Sequence, residues 1–447
     1  MKPRTDGAKA RAARRAPPDV AARPAGARDA GTALPDIDGS RLLASLETLG
    51  RIGALDGGGV CRLALTDEDK AGRDWVVERM RELGLRITID GIGNVIGVYP
   101  GDEDVAPVMT GSHIDTVRTG GLYDGNYGVL AGLEVLRVLR EAGVRGRKPI
   151  AVAFFTNEEG ARFAPDMMGS LVFQGGLGLD EALATRGIDG STVGENLERI
   201  GYRGSAPVGA AAVDSYVELH IEQGPVLDLE GIPIGAVESV QGISWTEFTV
   251  LGVSNHAGTT PMRLRRDAGL VAARIACFAR ELANEIGGDQ VATVGAVNLF
   301  PNLVNVIPNR AVFTVDLRNT DGETLQRAEQ RLRRFADEAA AAEGVSLSRR
   351  ALARFDPVRF DPDLVALVER SATALGLRTR RMPSGAGHDA QMLARICPAA
   401  MIFVPSVDGL SHNVREHTAP DDLVAGARVL LRVLAQLAEC PPFSGNR

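Results

Sequence analysis

The stretch Pro149-Ile-Ala-Val-Ala-Phe-Phe-Thr-Asn-Glu-Glu-Gly160 decides the fold class. Residues 149–156 form a continuous apolar run. Such a run is expected of a central strand covered on both faces, as in a parallel sheet. It ends directly in the polar loop Asn157-Glu158-Glu159-Gly160. Upstream, residues 105–111 read as another buried strand, followed by a loop over 112–127 and a helix through about Glu141. Strand, polar loop, helix, strand, polar loop is the pattern of an open α/β sheet. Ligands of such sheets lie outside the carboxyl ends of the strands.

Further out, an amphipathic helix is expected over 41–52, and Thr66 caps a second helix through about Leu83 with acids in its first turn. Strands follow at 86–90 and 94–99. The segment 224–353 changes character: strands at 234–238 and 245–251, a helix at 266–286, strands at 291–298 and 311–317, a helix at 322–343 and a strand at 345–350. That is the pattern of a separate two-layer α+β unit of ferredoxin-like kind. The α/β pattern then resumes with a helix at 363–375, a strand at 399–404 and a helix at 421–438. The expected fold class is α/β, an open mixed sheet with helices on both faces, interrupted by an inserted two-layer α+β domain. The domains expected are 39–223 with 354–447, and 224–353 inserted between them. Residues 1–38 are rich in Ala, Arg and Pro and are expected to be a disordered extension. A transit peptide would also be Arg-rich, but the stretch lacks Ser and is broken by Pro17-Pro18.

The 447 residues suffice for two or three domains. A hydrophobic share of 45% and a charged share of 24% are ordinary for a globular chain. The net charge of −7 argues against a nucleic-acid binder. There is no apolar run of about 18 residues, so no membrane span is expected. Cys61, Cys277, Cys397 and Cys440 form no CxxC pair, which excludes a disulfide scaffold or zinc knuckle and fits a reducing cytoplasm.

The six histidines carry the chemistry. His113-Ile-Asp115 follows a buried strand, and Asp124 comes eleven residues after His113 on a glycine-rich loop. His and carboxylate on one loop are natural metal ligands, and Asp115 can fix the imidazole tautomer from outside. Alone, this loop reads equally well as a polar βα connection. Glu158-Glu159 is a carboxylate pair at a strand end, where one member can hold metal and the other a proton. Acids favoured by a helix N-terminus are the plainer reading of that pair. His220 shares a strand face with Tyr216 and Glu218, and His412 follows the strand at 399–404. Three histidines and two or three carboxylates at strand ends suit a divalent metal with N/O ligands.

These blocks resemble the N-carbamoyl-L-amino acid hydrolase, allantoate amidohydrolase and β-ureidopropionase family, part of a larger two-metal exopeptidase superfamily. The segments that carry the resemblance include Gly111-Ser-His-Ile-Asp-Thr-Val117, Gly121-Leu-Tyr-Asp-Gly125, Phe155-Thr-Asn-Glu-Glu-Gly-Ala-Arg-Phe163, Leu219-His-Ile-Glu-Gln-Gly-Pro225, Asn255-His-Ala-Gly258, Gly385-Ala-Gly-His-Asp-Ala390 and Ser411-His-Asn413. The resemblance implies two divalent ions per subunit (zinc, manganese, cobalt or nickel). His113, Asp124 and His220 would hold one, and Asp124 would bridge to a second held by Glu159 and His412. Glu158 would be the general base, with Asp115 beside it. His256 would stabilise the oxyanion, reaching in from a partner subunit through a dimerising inserted lid. Gln223, Asn305, Arg318, Gly387 and His388 would hold the ureido group and carboxylate of the substrate. His220 is discriminating, because related exopeptidases usually place a carboxylate there. The activity implied is hydrolysis of the carbamoyl C–N bond of N-carbamoyl-L-amino acids, with allantoate and N-carbamoyl-β-alanine as alternatives within the family. A dipeptidase or aminoacylase on the same scaffold, and a binding protein that has lost catalysis, are the readings from other classes. His417 departs from the Tyr or Arg that relatives often carry.

Overall fold

The computed structural model describes residues 35–209 and 212–441. Most of the expected N-terminal extension lies outside them. In chain order the strands are β1 (Arg86–Ile89), β2 (Val95–Tyr99), β3 (Val108–His113), β4 (Ile150–Phe155), β5 (Ser215–Ile221), β6 (Ile234–Val240) and β7 (Gly242–Leu251). Then follow β8 (Val291–Thr293), β9 (Val297–Phe300), β10 (Arg310–Asn319), β11 (Ser346–Phe355), β12 (Val358–Arg359), β13 (Thr379–Ser384) and β14 (Ala399–Val404).

They build two sheets. The larger runs β1-β2-β4-β3-β5-β14-β6-β12, with β13 also pairing β6. Its centre, β4-β3-β5-β14, is parallel throughout. Every residue of these four strands is buried. Both faces of the centre are therefore covered, as the unbroken apolar runs require. Antiparallel β1, β2 and β6 make the sheet mixed. The helix Asn126–Glu141 packs on β3 and β5, and the helix Pro420–Leu437 packs on β14 and β5. No helix of the described residues is long and apolar enough to cross a membrane.

The smaller sheet runs β11-β7-β10-β8, with β9 also on β10. The helices Ala268–Ile286 and Gly322–Glu343 pack on it around a separate core that includes Phe248, Leu282, Phe313 and Leu332. One expectation is corrected here. The strand at 234–238 was grouped with the inserted unit, yet β6 lies in the larger sheet between β14 and β12. Its Ile234, Ala236, Val237 and Val240 belong to the larger core. Local alternation marks a strand but not its partner, and the partners β13 and β14 lie more than a hundred residues downstream. The chain therefore crosses between the sheets at Gln241 and again at residues 356–357. The strand expected over 291–298 is two short strands, β8 and β9, both on β10.

Candidate active site

The four central parallel strands deliver the chemistry at their carboxyl ends, where such sheets bind ligands. His113 is the last residue of β3, and His220 is the second-last of β5. Gly111, with φ of 154°, lets β3 lie against β4, because a Cβ there would sit 2.0 Å from the Ala153 carbonyl oxygen. At the end of β4, Asn157 takes a left-handed conformation (φ 56°) and turns Glu158 and Glu159 off the sheet. Asn157 Nδ2 donates to the Phe163 and Pro165 carbonyls and holds that turn. Gly125, also at positive φ, sits under the His113 ring, where a Cβ would come within 2.4 Å of Nε2.

The donors converge. His113 Nε2 is 3.6 Å from Asp124 Oδ1, and His220 Nε2 is 3.2 Å from the same oxygen. His412 Nε2 is 3.3 Å from Asp124 Oδ2 and 3.2 Å from Glu159 Oε2. Two clusters that share Asp124 follow, His113-Asp124-His220 and Asp124-Glu159-His412, beside a third, wholly buried group, Glu218-His220-His388. A tetrahedral ion with ligand bonds of about 2.0–2.2 Å sets its donors roughly 3.3–3.6 Å apart, so these spacings fit a metal. The tautomers fit too. His113 Nδ1 pairs with the Asp115 carbonyl at 2.9 Å and His220 Nδ1 with the Ile221 carbonyl at 2.8 Å. Each ring thereby donates from Nδ1 and faces Nε2 inward, the nitrogen that would bind an ion once it has given up its proton.

The electrostatics point the same way. Burial disfavours charge on His113, but Glu158, Asp124 and Asp115 outweigh it and hold the imidazole well above its ordinary value. Burial would raise Asp124, yet hydrogen bonds from His113, His220 and His412 hold it well below the carboxylate range. Hydrogen bonds to Asp124 and Glu159 push His412 up to about 10. The cluster has a surplus of carboxylate and gathers positive charge, which is what a cation site must do. Glu158 differs: burial, aided by Asp389 and Glu159, holds it well above its usual range. It lies 3.4 Å from His113 Nε2 and belongs to neither cluster, which leaves it free to carry a proton.

Asp115 has a different task from the one expected. The His113 tautomer is set by its backbone carbonyl, and its carboxylate is 4.0 Å from Nδ1. The carboxylate instead accepts from the backbone N–H groups of Glu158 and Glu159, at 3.2 and 3.3 Å. The turn after β3 brings its side chain to the head of β4, so Asp115 orients the acid pair.

A cavity of about 180 Å³ opens over the clusters. Gln223, Arg318, Gly387 and His388 line it, as expected of substrate contacts. Gln223 Nε2 donates to Asp124 Oδ2 at 2.9 Å. Arg318, on β10 of the smaller sheet, grips Asp316 through Nε and Nη2 and donates from Nη1 to the Gly385 carbonyl at 2.7 Å. It therefore ties the smaller sheet to the loop that carries Gly387 and His388. His388 is buried behind His220, its ring 4.6 Å away and its Nε2 2.9 Å from Ser384 Oγ. Burial and the neighbouring His220 hold it well below the usual imidazole value.

His256 and Asn305 are not among the residues that line the cavity. They neighbour each other in an exposed turn, where Ala257 N donates to the Asn305 carbonyl and His256 Nδ1 accepts from Gly258 N. His417 is exposed, with its ring 6.4 Å from Tyr123. Asp166, Ile243 and Trp245 line the cavity without having been singled out in the sequence. Asp166 lies three residues beyond the block Phe155–Phe163, on the loop that follows Glu158-Glu159. Ile243 and Trp245 carried no signal, because β7 reads as an ordinary strand.

Residues 109–436 match the family described as Peptidase family M20/M25/M40. The chain is 42% identical to an N-carbamoyl-L-amino-acid amidohydrolase of Rhizobium meliloti, over 90% of this chain and 97% of that one. It is 34% identical to a ureidoglycolate hydrolase of Arabidopsis thaliana, over 85% of this chain and 82% of that one. A crystal structure of an amidase of the hydantoinase/carbamoylase family from Burkholderia multivorans superposes with a TM-score of 0.87 at 46% identity, covering 90% of this chain and 98% of that one. With the match spanning most of its length, the chain belongs to the M20/M25/M40 peptidase family.

Proposed function

We propose that this chain is a metal-dependent amidohydrolase that cleaves the carbamoyl C–N bond of N-carbamoyl-L-amino acids, giving the amino acid, ammonia and carbon dioxide. The observation that carries the reading is the convergence of five His and carboxylate donors on one cavity beside Glu158, which belongs to neither cluster. His113, Asp124 and His220 would hold one divalent ion, and Asp124, Glu159 and His412 a second. Zinc, manganese, cobalt and nickel all suit these donors. When bound, such ions supply Lewis acidity toward a carbonyl and lower the pKa of water.

The protein's own groups do the rest. Glu158 takes the proton of the attacking water as the water oxygen bonds to the carbamoyl carbon, and returns it to the amino acid's nitrogen as the C–N bond to that nitrogen breaks; the carbamic acid released then splits into ammonia and carbon dioxide. Asp115, holding two backbone N–H groups at residues 158 and 159, keeps Glu158 in line. Arg318 exchanges Asp316 for the substrate carboxylate, which its planar fork can grip with two bonds. Gln223, His388 and the Gly387 backbone face the ureido group. The small cavity suits a small polar substrate.

The unit built on the smaller sheet acts as a lid of ferredoxin-like kind and as a dimerisation domain. The exposed side chains of Met262, Leu264, Leu303 and Val304 support this, since they lie close in sequence to His256 and to Val306, which His256 pairs with. In the dimer the partner's His256 completes the oxyanion site. Light scattering is expected to give twice the chain mass; a monomer at micromolar concentration would remove the shared-site reading.

A second reading rests on the Arabidopsis relative: a ureido substrate other than a carbamoyl amino acid. One assay tests both. The protein is stripped with chelator, reloaded with one metal, and offered N-carbamoyl-L-amino acids, their D-forms, allantoate, N-carbamoyl-β-alanine, ureidoglycolate and a dipeptide. Stripping is expected to abolish ammonia release, and reloading to restore it with an N-carbamoyl-L-amino acid. Turnover of the dipeptide alone would move the chain to a peptidase.

A further inference from the structure

Glu416 lies outside the ligand set, yet it is buried, with 5% of its surface exposed. Its Oε1 accepts from the backbone N–H of Tyr123 at 3.1 Å and of Asp124 at 3.3 Å. Its Oε2 accepts from Ser411 Oγ at 3.1 Å. The Ser411 hydroxyl also lies 3.3 Å from Asp124 Oδ2 and receives Gln223 Nε2 at 3.2 Å. One carboxylate therefore clamps two loops that come from distant parts of the chain. One loop, after β3, carries Asp124; the other, after β14, carries His412. Gly121 leaves room for the clamp, because a Cβ there would fall 2.0 Å from Glu416 Oε1.

The loops need such a clamp. His412 sits at positive φ (53°) with half its side chain exposed, so little packing holds it. Asp124 is shared by both clusters, and its two oxygens face different histidines. The first cluster keeps two buried histidines, His113 and His220, beside Asp124, whereas the second depends on the half-exposed His412, so a small rotation of the 121–124 loop falls hardest on the second set. Tyr123 and Asp124 are also the last residues before the helix Asn126–Glu141 begins, apart from Gly125. Glu416 thus holds the chain at the two positions that lead into the cap of that helix, Gly125.

We infer that Glu416 is a positioning residue that fixes Asp124 and His412 relative to each other and so builds the second cluster, Asp124-Glu159-His412. The inference rests on the reading of these residues as metal ligands. It acts through hydrogen bonds, so its geometry and its charge are separable. Gln at 416 can keep a carbonyl oxygen toward the Tyr123 and Asp124 N–H groups and turn its amide toward Ser411 Oγ, which can accept.

The test is cobalt(II) uptake by the metal-free protein, followed by calorimetry and by the visible spectrum. Wild type is expected to take up two ions per chain. Glu416→Ala is expected to keep the first and weaken the second by about 10–100-fold, the range for loss of a group that orients a ligand. Glu416→Gln is expected to restore the second ion and its spectrum. Should Glu416→Ala not fold, Gly121→Ala displaces the same carboxylate and is expected to lose the second ion selectively. Two ions bound at wild-type affinity in the Ala variant would overturn the inference. So would a Gln variant as impaired as Ala, which would assign the effect to charge. A wild-type chain that takes up no metal would instead overturn the ligand reading, and this inference with it.

Discussion

Glu158→Gln is expected to lower kcat by about 10²–10⁴-fold, the usual contribution of a general base, with the metal content unchanged. The two parts of this result separate the proton carrier from the ligands. Glu158 sits 3.4 Å from His113 but in neither donor cluster, so its amide should leave the ions in place. Gln is isosteric and still accepts a hydrogen bond, but it cannot take a proton from water. Glu159→Gln, by contrast, removes a donor of the second cluster, and its loss should appear first in metal uptake. The measurement is steady-state ammonia release paired with elemental analysis. A Glu158→Gln enzyme with kcat within threefold of wild type would reassign the base, and one that had lost an ion would move Glu158 among the ligands.

Arg73→Met is expected to destabilise the fold by about 3–5 kcal/mol, the range for stranding one charge of a buried pair. Arg73 and Asp69 are both wholly inaccessible, with Nε and Oδ2 2.7 Å apart. The same guanidinium donates to the Gly93 carbonyl and to Thr156 Oγ1, and its face lies 5.5 Å from the Phe154 ring centre. Its removal strands the Asp69 carboxylate, whose Oδ1 already has no hydrogen-bond partner among the described residues. It also frees Thr156, one residue before the turn that aims the acid pair. The double variant Asp69→Leu/Arg73→Met takes both charges out of the interior and should recover much of the loss. Urea unfolding reads both. A single variant within about 1 kcal/mol of wild type would mean that water reaches the pair.

The sequence displayed the centre of the larger sheet clearly. Strands β4 and β14 are apolar without interruption because both faces are covered, β3 starts apolar and ends in Gly-Ser-His, and the loops that carry the candidate ligands follow from their ends. The helices at Gly322–Glu343 and Pro420–Leu437 were equally legible, since their apolar stripes recur at helical period. What stayed hidden depends on contacts between distant segments. Strand β13, Thr-Arg-Arg-Met-Pro-Ser, is mostly polar and gains its place only by pairing with β6. Arg73 falls on a helix rich in charge, where it reads as one more solvated residue. Arg62 is likewise fully buried, giving its guanidinium to three carbonyls and to Asn126, with no local pattern to announce it. The donors that form the candidate clusters stood out because their types and loop positions are chemical. Asp115 was identified, but its partners were not, because a side chain and its own carbonyl occupy the same place in a sequence.

The position of β14 between β5 and β6 has a consequence for how the centre comes into being on the ribosome. Synthesis runs from the N-terminus, and His113, Asp124 and His220 have all emerged when barely half the chain is made. At that moment β5 has an open edge, because the strand that covers it starts at Ala399. The smaller sheet and its helices, whose strands all lie between residues 242 and 355, can close on themselves in the meantime. Only when β14 slots in beside β5 do His412 and the Glu416 clamp arrive. The two halves of the proposed metal centre thus have different birth times. The first belongs to the nascent chain and the second to the finished protein, so a second ion, where one binds, would mark a chain whose synthesis has run almost to its end.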